Sequence, residues 1–155
     1  HDTYGFSYTA LRYANVFGPR QTPEGEAGVV AIFTARMLKG EAPVIFGDGE
    51  QQRDFVYVGD VAKANVEAIE RRLQGAYNVG TGVASSVNDV TRVLTEACGF
   101  QGHVGHVDER AGEVRRVTLD AAKLARETGW QWQIALAEGL ALTVAHQKAQ
   151  LNRSA

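Results

Sequence analysis

Short apolar runs typical of β-strands alternate along this 155-residue chain with segments whose apolar residues recur at helical spacing. The runs at residues 8–17, 43–46, 55–58 and 76–79 predict strands, because they are rich in β-branched and aromatic residues and end in turn formers. The helical segments lie near residues 28–39, after Asp60, after Ser86, and along a last stripe formed by Leu136, Leu140 and Val144. Alternation of this kind predicts an α/β fold.

Three local patterns refine these elements. Asp60 is placed to cap a helix on which Ala62, Val66, Ile69 and Leu73 share a face, and Ser86 with Asp89 three residues on resembles a capping box. Gly99, Gly102 and Gly105 have the glycine spacing of a dinucleotide-binding turn, but a helix precedes them where that turn requires a strand. This glycine motif therefore predicts a helix end and a loop, not a cofactor site.

Composition excludes several classes of protein. The 16 basic and 18 acidic residues give a net charge of −2, whereas a protein that coats nucleic-acid phosphates would show a basic excess. Cys98 is the single cysteine, and the four histidines have no ligand spacing, so neither a disulfide nor a metal site is expected. The chain has no apolar run long enough to span a membrane and no signal-peptide pattern, so we expect a soluble cytoplasmic protein.

Two arginines are the candidates for ligand binding. Arg53 stands at the mouth of a predicted strand and Arg110 in an acidic loop, and a pair of guanidinium groups can clamp a diphosphate bidentately. Asn15, at the carboxyl end of the first strand, could add an amide donor, since ligands of α/β proteins bind beyond that edge of the sheet. Solvated or acid-paired arginines would show the same pattern, so the residues alone leave both readings open.

Four motifs in order carry a resemblance to a known family: LRYANVFGPRQ at residues 11–21, VIFGDGEQQRDFVYV at 44–58, YNVGTG at 77–82 and RAGEVRRVTLD at 110–120. In this order they resemble nucleotide-sugar epimerases of the extended short-chain dehydrogenase/reductase family, particularly the UDP-glucose 4-epimerase branch. The resemblance implies a subunit in which a Rossmann domain holds NAD and a smaller α/β lobe holds a UDP-sugar. In the family reaction a hydride leaves C4 of the sugar for NAD and returns to the opposite face.

The chain departs from that family where the family's catalytic residues would be. No tyrosine is followed four residues later by lysine, and no glycine fingerprint lies at a strand–helix turn. We therefore expect residues 1–155 to be the C-terminal nucleotide-sugar-binding portion, with about 1–20 and 54–80 belonging to the end of the Rossmann sheet. On this reading the NAD-binding N-terminal half is absent, the chain holds no catalytic residue, and it is inactive alone.

The resemblance also implies roles for individual residues. Asn15, Arg53 and Arg110 match positions that contact the diphosphate, and Glu113 matches a residue that accepts from a ribose hydroxyl. Ala14 matches a position beside the nicotinamide, and Val117 a position along the sugar, where a small side chain is expected to leave room for N-acetylated sugars. The positions that wall the nucleotide, partly through backbone groups, are matched by Val29, Val30, Val44 and Phe46.

The family resemblance leaves three assignments open. A UDP-glucose/UDP-galactose 4-epimerase, whose whole protein would be a homodimer, is the leading one. A nucleotide-sugar dehydratase or decarboxylase of the same superfamily shares these C-terminal motifs. A non-catalytic nucleotide-sugar-binding module built on the same fold is the alternative from another class.

Overall fold

A computed structural model describes residues 3–25 and 27–154 and confirms the mixed α/β class. Residues 1, 2, 26 and 155, which the predicted division of the chain includes, lie outside the described residues. In chain order the elements are β1 (Thr9–Tyr13), β2 (Asn15–Phe17), α1 (Val29–Leu38), β3 (Val44–Phe46), β4 (Gln52–Tyr57), α2 (Val58–Glu70), β5 (Gly75–Val79), β6 (Ala84–Ser86), α3 (Val87–Cys98), β7 (Gly105–Val107), β8 (Arg116–Val117), α4 (Ala122–Thr128) and α5 (Leu136–Ser154).

Parallel pairing dominates the strands, as expected when helices connect them. Strand β1 pairs with β5, β2 with β4, and β3 with β7, all in parallel. Strand β4 also pairs in parallel with β8 and antiparallel with β6, so three strands take their register from it. In that register Asn15 lies opposite Phe55, and Val117 lies opposite Arg53.

The first predicted strand is wrong in one respect: it is two strands, β1 and β2, that separate at Ala14. The backbone N–H of Ala14 still donates to the carbonyl of Val79 beyond the end of β1, at 2.9 Å. The chain then leaves β5 and pairs with β4 instead. The break follows from this exchange of partners, because residues before and after Ala14 belong to different ladders.

Helix α2 corrects two further expectations. Asp60 is not its cap: the helix begins at Val58, and the Asp60 carboxylate accepts hydrogen bonds from the backbone N–H groups of Gln133 and Ile134, each at 3.0 Å. The buried face consists of Asp60, Val61, Ala64 and Ala68, whereas Val66 and Ile69 are exposed. The predicted apolar face is therefore wrong: the helix turns a different side inward, and that side carries the Asp60 carboxylate that binds the chain before α5.

The local signals around α3 are confirmed. Ser86 accepts from the N–H of Asp89 at 3.0 Å, and the Asp89 carboxylate accepts from the N–H of Ser86 at 3.1 Å, which completes the capping box. The Ser86 hydroxyl also donates to the Asp89 carboxylate at 2.8 Å, and this bond, together with that from the Ser86 N–H, lowers the pKa of Asp89. Gly99 ends the helix in the left-handed conformation with φ of 72°, so the glycine motif is a helix end and a loop.

Two hydrophobic cores lie on opposite sides of β4. Neighbouring residues of a strand point to opposite faces, and Phe55 enters one core while Val56 enters the other. The lobe core consists of Phe17, Val30, Phe33, Met37, Ile45, Phe55, Val90, Leu94, Phe100, Leu140 and Val144. The sheet core consists of Val56, Val61, Ala64, Tyr77, Val79, Leu124 and Trp130. Among the described residues, no helix is both long and apolar enough to cross a membrane.

Candidate functional site

A cavity of about 340 Å³ opens between the first turns of α1, strand β3 and the loop at residues 108–115. Its volume falls in the range of small-molecule sites. Five of the residues predicted to contact a nucleotide sugar line it: Val29, Val44, Phe46, Arg110 and Glu113. The remaining lining residues are Ala27, Ile32, Phe33, Arg36, Ile45, Gln51 and Val87. The structure thus brings residues from three separate segments to one concave surface.

The start of α1 supplies backbone groups at this cavity. Gly28 precedes the helix in an extended conformation and gives no side-chain cap, and no acidic residue lies in the first turn. The first N–H groups of a helix have no partner within the helix, and they favour an acceptor or an anion. Val30 is 1% exposed within the lobe core, so its side chain does not line the cavity. Its predicted contact with a nucleotide would therefore be through the backbone.

Arg110 lies over the ring of Phe46 at one wall of the cavity. Its guanidinium carbon stands 3.9 Å from the centre of the Phe46 ring, which is the geometry of a cation–π contact. The carbonyl of Phe46 in turn accepts a hydrogen bond from the amide of Gln51 at 3.0 Å. Within residues 3–25 and 27–154, no carboxylate lies at ion-pair distance from Arg110. Its positive charge is thus oriented by an aromatic ring and not neutralised by an acid.

Arg53 and Glu113 form an ion pair at the same cavity edge. The distance from Arg53 Nη2 to Glu113 Oε1 is 3.2 Å, and Arg53 Nη1 donates to its neighbouring carbonyl of Gln52 at 2.9 Å. The two side chains are 20% and 29% exposed, so the pair is partly shielded from solvent. A guanidinium held in this way keeps donors that an incoming anion could engage. The residue predicted to bind diphosphate and the residue predicted to bind ribose are therefore in direct contact.

A second ion pair fixes the loop that carries Arg110 and Glu113. Arg115 donates to both oxygens of the Asp48 carboxylate at 2.8 Å, and Asp48 also accepts from the N–H of Glu50 at 2.9 Å. These bonds, led by those from Arg115, lower the pKa of Asp48 to about 2. His106 Nδ1 lies 2.8 Å from the Gly47 carbonyl. The loop is thereby fastened to the turn that follows β3.

Three of the predicted residues lie on β2, β4 and β8 and are not among those that line the cavity: Asn15, Arg53 and Val117. Asn15 is opposite Phe55 and Val117 is opposite Arg53, and paired residues of parallel strands share a face. Arg53 and Phe55 are two residues apart, so Asn15, Arg53 and Val117 all belong to the face of the sheet that carries the lobe core. Ala14 lies instead at the break between β1 and β2, next to Gly80.

Sequence reasoning missed three residues near these groups. Gln51 and Arg36 line the cavity, and only their place in the fold identifies them. Asp54 is 1% exposed inside β4 and accepts hydrogen bonds from two distant segments. An acid directly before the apolar residues Phe55 and Val56 of a strand is a signal that could have singled it out.

Three cavities are larger than the one at the candidate site: one of about 390 Å³ is lined in part by Thr81, Gly82 and Leu119, and the other two lie away from the residues named above. One of about 640 Å³ lies among the C-terminal ends of α1, α3 and α5, and one of about 590 Å³ lies beside β1 and α2. Neither contains a predicted site residue. Cys98 borders the first, and burial raises the pKa of its thiol, which makes it a poor nucleophile. Within the described residues, no cluster of three or more His, Cys, Asp or Glu is placed to hold a metal ion.

Comparison with known proteins adds independent findings. The model of the NAD dependent epimerase/dehydratase family matches residues 1–80. A UDP-glucose 4-epimerase of Mycolicibacterium smegmatis is 44% identical over 142 residues, covering 91% of this chain and 45% of the relative. A dTDP-glucose 4,6-dehydratase of an Actinoplanes species is 34% identical over 156 residues, covering 99% of this chain and 47% of the relative.

A solved structure resembles this fold over 97% of the chain. The UDP-glucose 4-epimerase of Thermotoga maritima, with UDP-glucose, superposes with a TM-score of 0.90 at 48% identity, covering 97% of this chain and 48% of that one. The chain therefore spans about half the length of the relatives it matches.

Proposed function

The chain belongs to the NAD dependent epimerase/dehydratase family, and we propose that it forms the nucleotide-sugar-binding part of an NAD-dependent UDP-glucose 4-epimerase. One observation carries the proposal: Arg53, Arg110 and Glu113 converge beside a cavity with apolar walls that include Val29 and Phe46. Guanidinium groups recognise diphosphates through paired hydrogen bonds, and apolar walls suit a nucleobase.

In this proposal the Arg53–Glu113 pair opens when the ligand arrives. Arg53 exchanges the Glu113 carboxylate at 3.2 Å for a diphosphate oxygen, and Glu113 accepts from a ribose hydroxyl instead. Arg110, already oriented by Phe46, supplies a second guanidinium without losing an ion pair. Asn15 adds an amide on the same face of the sheet as Arg53. The charged groups then hold the diphosphate while the sugar stays outside their reach.

The sugar would extend along β8. Val117 lies opposite Arg53 and is 39% exposed, so a sugar that follows the diphosphate passes a small apolar side chain. Weak contacts with the sugar suit a C4 epimerisation, because the keto sugar must present both faces to one hydride donor. The same small side chain is expected to admit N-acetylated sugars, and Val117→Tyr should exclude them relative to plain sugars.

Ala14 and Gly80 are the residues of this chain that fit a nicotinamide. They follow β1 and β5, whose carboxyl ends lie side by side, and ligands of parallel sheets bind beyond such ends. A methyl group added at Gly80 would lie 3.2 Å from the Ala14 side chain, so both positions are closely packed. NAD supplies the hydride acceptor of the reaction when it is bound. Its other contacts and the proton-transfer pair are proposed to lie in the part of the enzyme beyond this chain.

Calorimetric titration of the 155-residue chain tests the binding site. We expect UDP and UDP-glucose to bind, and Arg53→Ala to weaken both by about 10- to 150-fold, the scale of a lost hydrogen bond to a charged group. Arg92→Ala is the matched control, because Arg92 forms an exposed ion pair with Glu96 on α3, away from the cavity. Equal UDP affinity of the Arg53→Ala and Arg92→Ala variants would remove Arg53 from the site.

Enzyme assays test whether the catalytic pair lies outside this chain. The chain alone should not interconvert UDP-glucose and UDP-galactose. A chimera in which this chain replaces the matched stretch of the Mycolicibacterium smegmatis relative should do so. Turnover by the chain alone would contradict the proposal that the catalytic pair lies elsewhere.

A dehydratase is the second candidate, because an Actinoplanes dTDP-glucose 4,6-dehydratase is 34% identical over 99% of the chain. A dTDP preference in the titration, with no epimerase activity in the chimera, would favour it. A preference for UDP would favour the epimerase.

A further inference from the structure

Asp54 is a buried carboxylate that ties three segments of the chain together. Its side chain is 1% exposed and accepts from the N–H of Thr81 at 2.9 Å, the hydroxyl of Thr81 at 2.6 Å, the N–H of Gly82 at 3.0 Å and the N–H of Leu119 at 3.1 Å. In the described part of the chain it has no basic partner at ion-pair distance. Four donors thus compensate for the removal of its charge from water.

The segments that Asp54 joins carry the predicted ligand contacts. Arg53 is its neighbour on β4, and Leu119 follows Val117 by two residues. Gly80 packs against the carboxylate so closely that an added methyl group would lie 2.6 Å from Asp54 Oδ2 and 3.2 Å from the side chain of Ala14. Adjacent strand residues point to opposite faces, so the Asp54 carboxylate lies behind the face that carries Arg53.

A second buried aspartate provides an internal reference. Asp60 is fully buried, accepts from the N–H groups of Gln133 and Ile134, and has Lys63 at 3.5 Å. These partners hold the chain before α5 against α2 and include none of the predicted ligand contacts. A carboxylate that only holds the fold together should therefore behave as Asp60 does.

We propose that Asp54 is a positioning residue for the nucleotide sugar, which keeps β8 and Val117 in register with Arg53. The inference rests on the proposed function. β8 is only two residues long: the segment before it is held by Arg115, whose side chain binds Asp48 and whose carbonyl accepts from the N–H of Gln52, whereas the segment after it is anchored to Asp54 through the N–H of Leu119. An asparagine would offer one acceptor oxygen and turn an NH₂ group toward N–H donors, so the segment after β8 would detach. Val117 would then leave its place beside the sugar while Arg53, on β4 itself, remained.

The test compares Asp54→Asn with Asp60→Asn in the 155-residue chain. We expect both variants to unfold at lower urea concentration than the wild type. Only Asp54→Asn should also weaken UDP-glucose binding, by about tenfold, with UDP binding reduced less than about threefold. This change in the ratio of the two affinities is a readout that general destabilisation would not produce. Hydrogen exchange at the Leu119 amide should accelerate in Asp54→Asn and not in Asp60→Asn.

The outcomes separate the two proposals. If the wild type binds both ligands and the two variants keep the same affinity ratio, the positioning role is overturned while the proposed function stands. If the wild type binds neither ligand, the proposed function fails and the inference fails with it.

Thr81→Val removes one hydrogen-bond donor and leaves the Asp54 carboxylate in place. This variant therefore replaces Asp54→Asn in the test if Asp54→Asn does not fold. It should shift the affinity ratio in the same direction by about threefold. An unchanged ratio in Thr81→Val would also overturn the inference.

Discussion

The lobe core and the sheet core lie on either side of the same strand but are covered very differently. Around the lobe core, α1, α3 and α5 pack against one another, and Leu94 and Leu140 are fully buried. Around the sheet core, α2 and α4 cover a two-stranded sheet, and large apolar side chains remain on the surface nearby. Tyr8 is 55% exposed and Ile69 is 76% exposed, and both border the cavity beside β1 and α2.

The difference shows that the described helices cover the lobe core more completely than the sheet core. Exposed apolar side chains that lie together are typical of interaction surfaces. The face beside β1 and α2 has this character and also borders a cavity of about 590 Å³. The lobe, by contrast, exposes its charged residues at the candidate site. We therefore expect mutations in the lobe core to govern the stability of this chain, and exposed residues beside the sheet core to have little effect on it.

The largest expected effect tests this directly. Leu94→Ala removes a fully buried side chain from the lobe core and should lower the free energy of unfolding by about 2–5 kcal/mol. Ile69→Ala, the matched change on the exposed face of α2, should change it by less than about 0.5 kcal/mol. Urea unfolding of both variants gives the two values. A cost at Ile69 equal to that at Leu94 would break the distinction between the regions.

The next prediction concerns the contact between α5 and the strands that separate the cores. A methyl group at Gly139 would lie 2.8 Å from the Phe17 ring and 3.0 Å from the Tyr57 ring. Gly139→Ala should therefore lower the free energy of unfolding by about 1–3 kcal/mol, the usual cost of overpacking. Gly105→Ala is the control, because nothing lies within 4 Å of the added methyl group there. Similar stabilities of the two variants would mean that α5 can move away without cost.

A smaller, pH-dependent effect is expected within the sheet core. The hydroxyl of Tyr77 donates to Glu127 at 2.6 Å, and this bond, together with burial, raises the pKa of Tyr77 above its usual value of 10.0. The folded state favours the neutral phenol, so the stabilisation is complete below pH 10 and is lost as the pH rises through the raised pKa. Unfolding midpoints between pH 8 and 11 should fall more steeply for the wild type than for Tyr77→Phe. An equal fall of the unfolding midpoint with pH in both proteins would contradict a raised pKa of Tyr77 in the folded state.

The smallest effect is expected at the exposed ion pair of the lobe. The pKa of Asp48 is about 2, below its ordinary value of 3.8, because Arg115 and Glu50 donate to the carboxylate. Its contribution to stability is present above pH 3.8 and is lost as the pH falls through about 2. Carboxyl NMR titration should give that pKa, and Arg115→Ala should return it toward 3.8. An unchanged pKa in Arg115→Ala would show that the loop is not held through this pair.

Local signals in the sequence predicted much of the fold. The Ser86–Asp89 capping box and the helix end at Gly99 depend on residues within one turn, so their pattern is sufficient. The break at Ala14 was not predictable from neighbours, because it depends on which partner each half of the run takes. The face of α2 was displaced for the same reason: Asp60 turns inward to meet Gln133 and Ile134, far along the chain.

At the candidate site, too, the sequence did not predict contacts between residues that are far apart in the chain. Resemblance located Arg53, Arg110 and Glu113, and the structure places all three around one cavity edge, although their ligand roles stay predictions. The direct pairing of Arg53 with Glu113 joins residues that no local pattern connects. Asp54 was passed over because its hydrogen-bond donors come from two segments that only folding brings together.

The pairings of β4 also have a consequence for how quickly the chain folds. Its partners come from Asn15 near one end of the chain, from Ser86 in the middle and from Arg116 beyond it. Each pairing closes a long loop before it gains its hydrogen bonds, and non-local pairings of this kind slow folding. The helices can form early, whereas β4 acquires its neighbours late. The face that carries Arg53 would therefore be among the last parts of the molecule to become ordered.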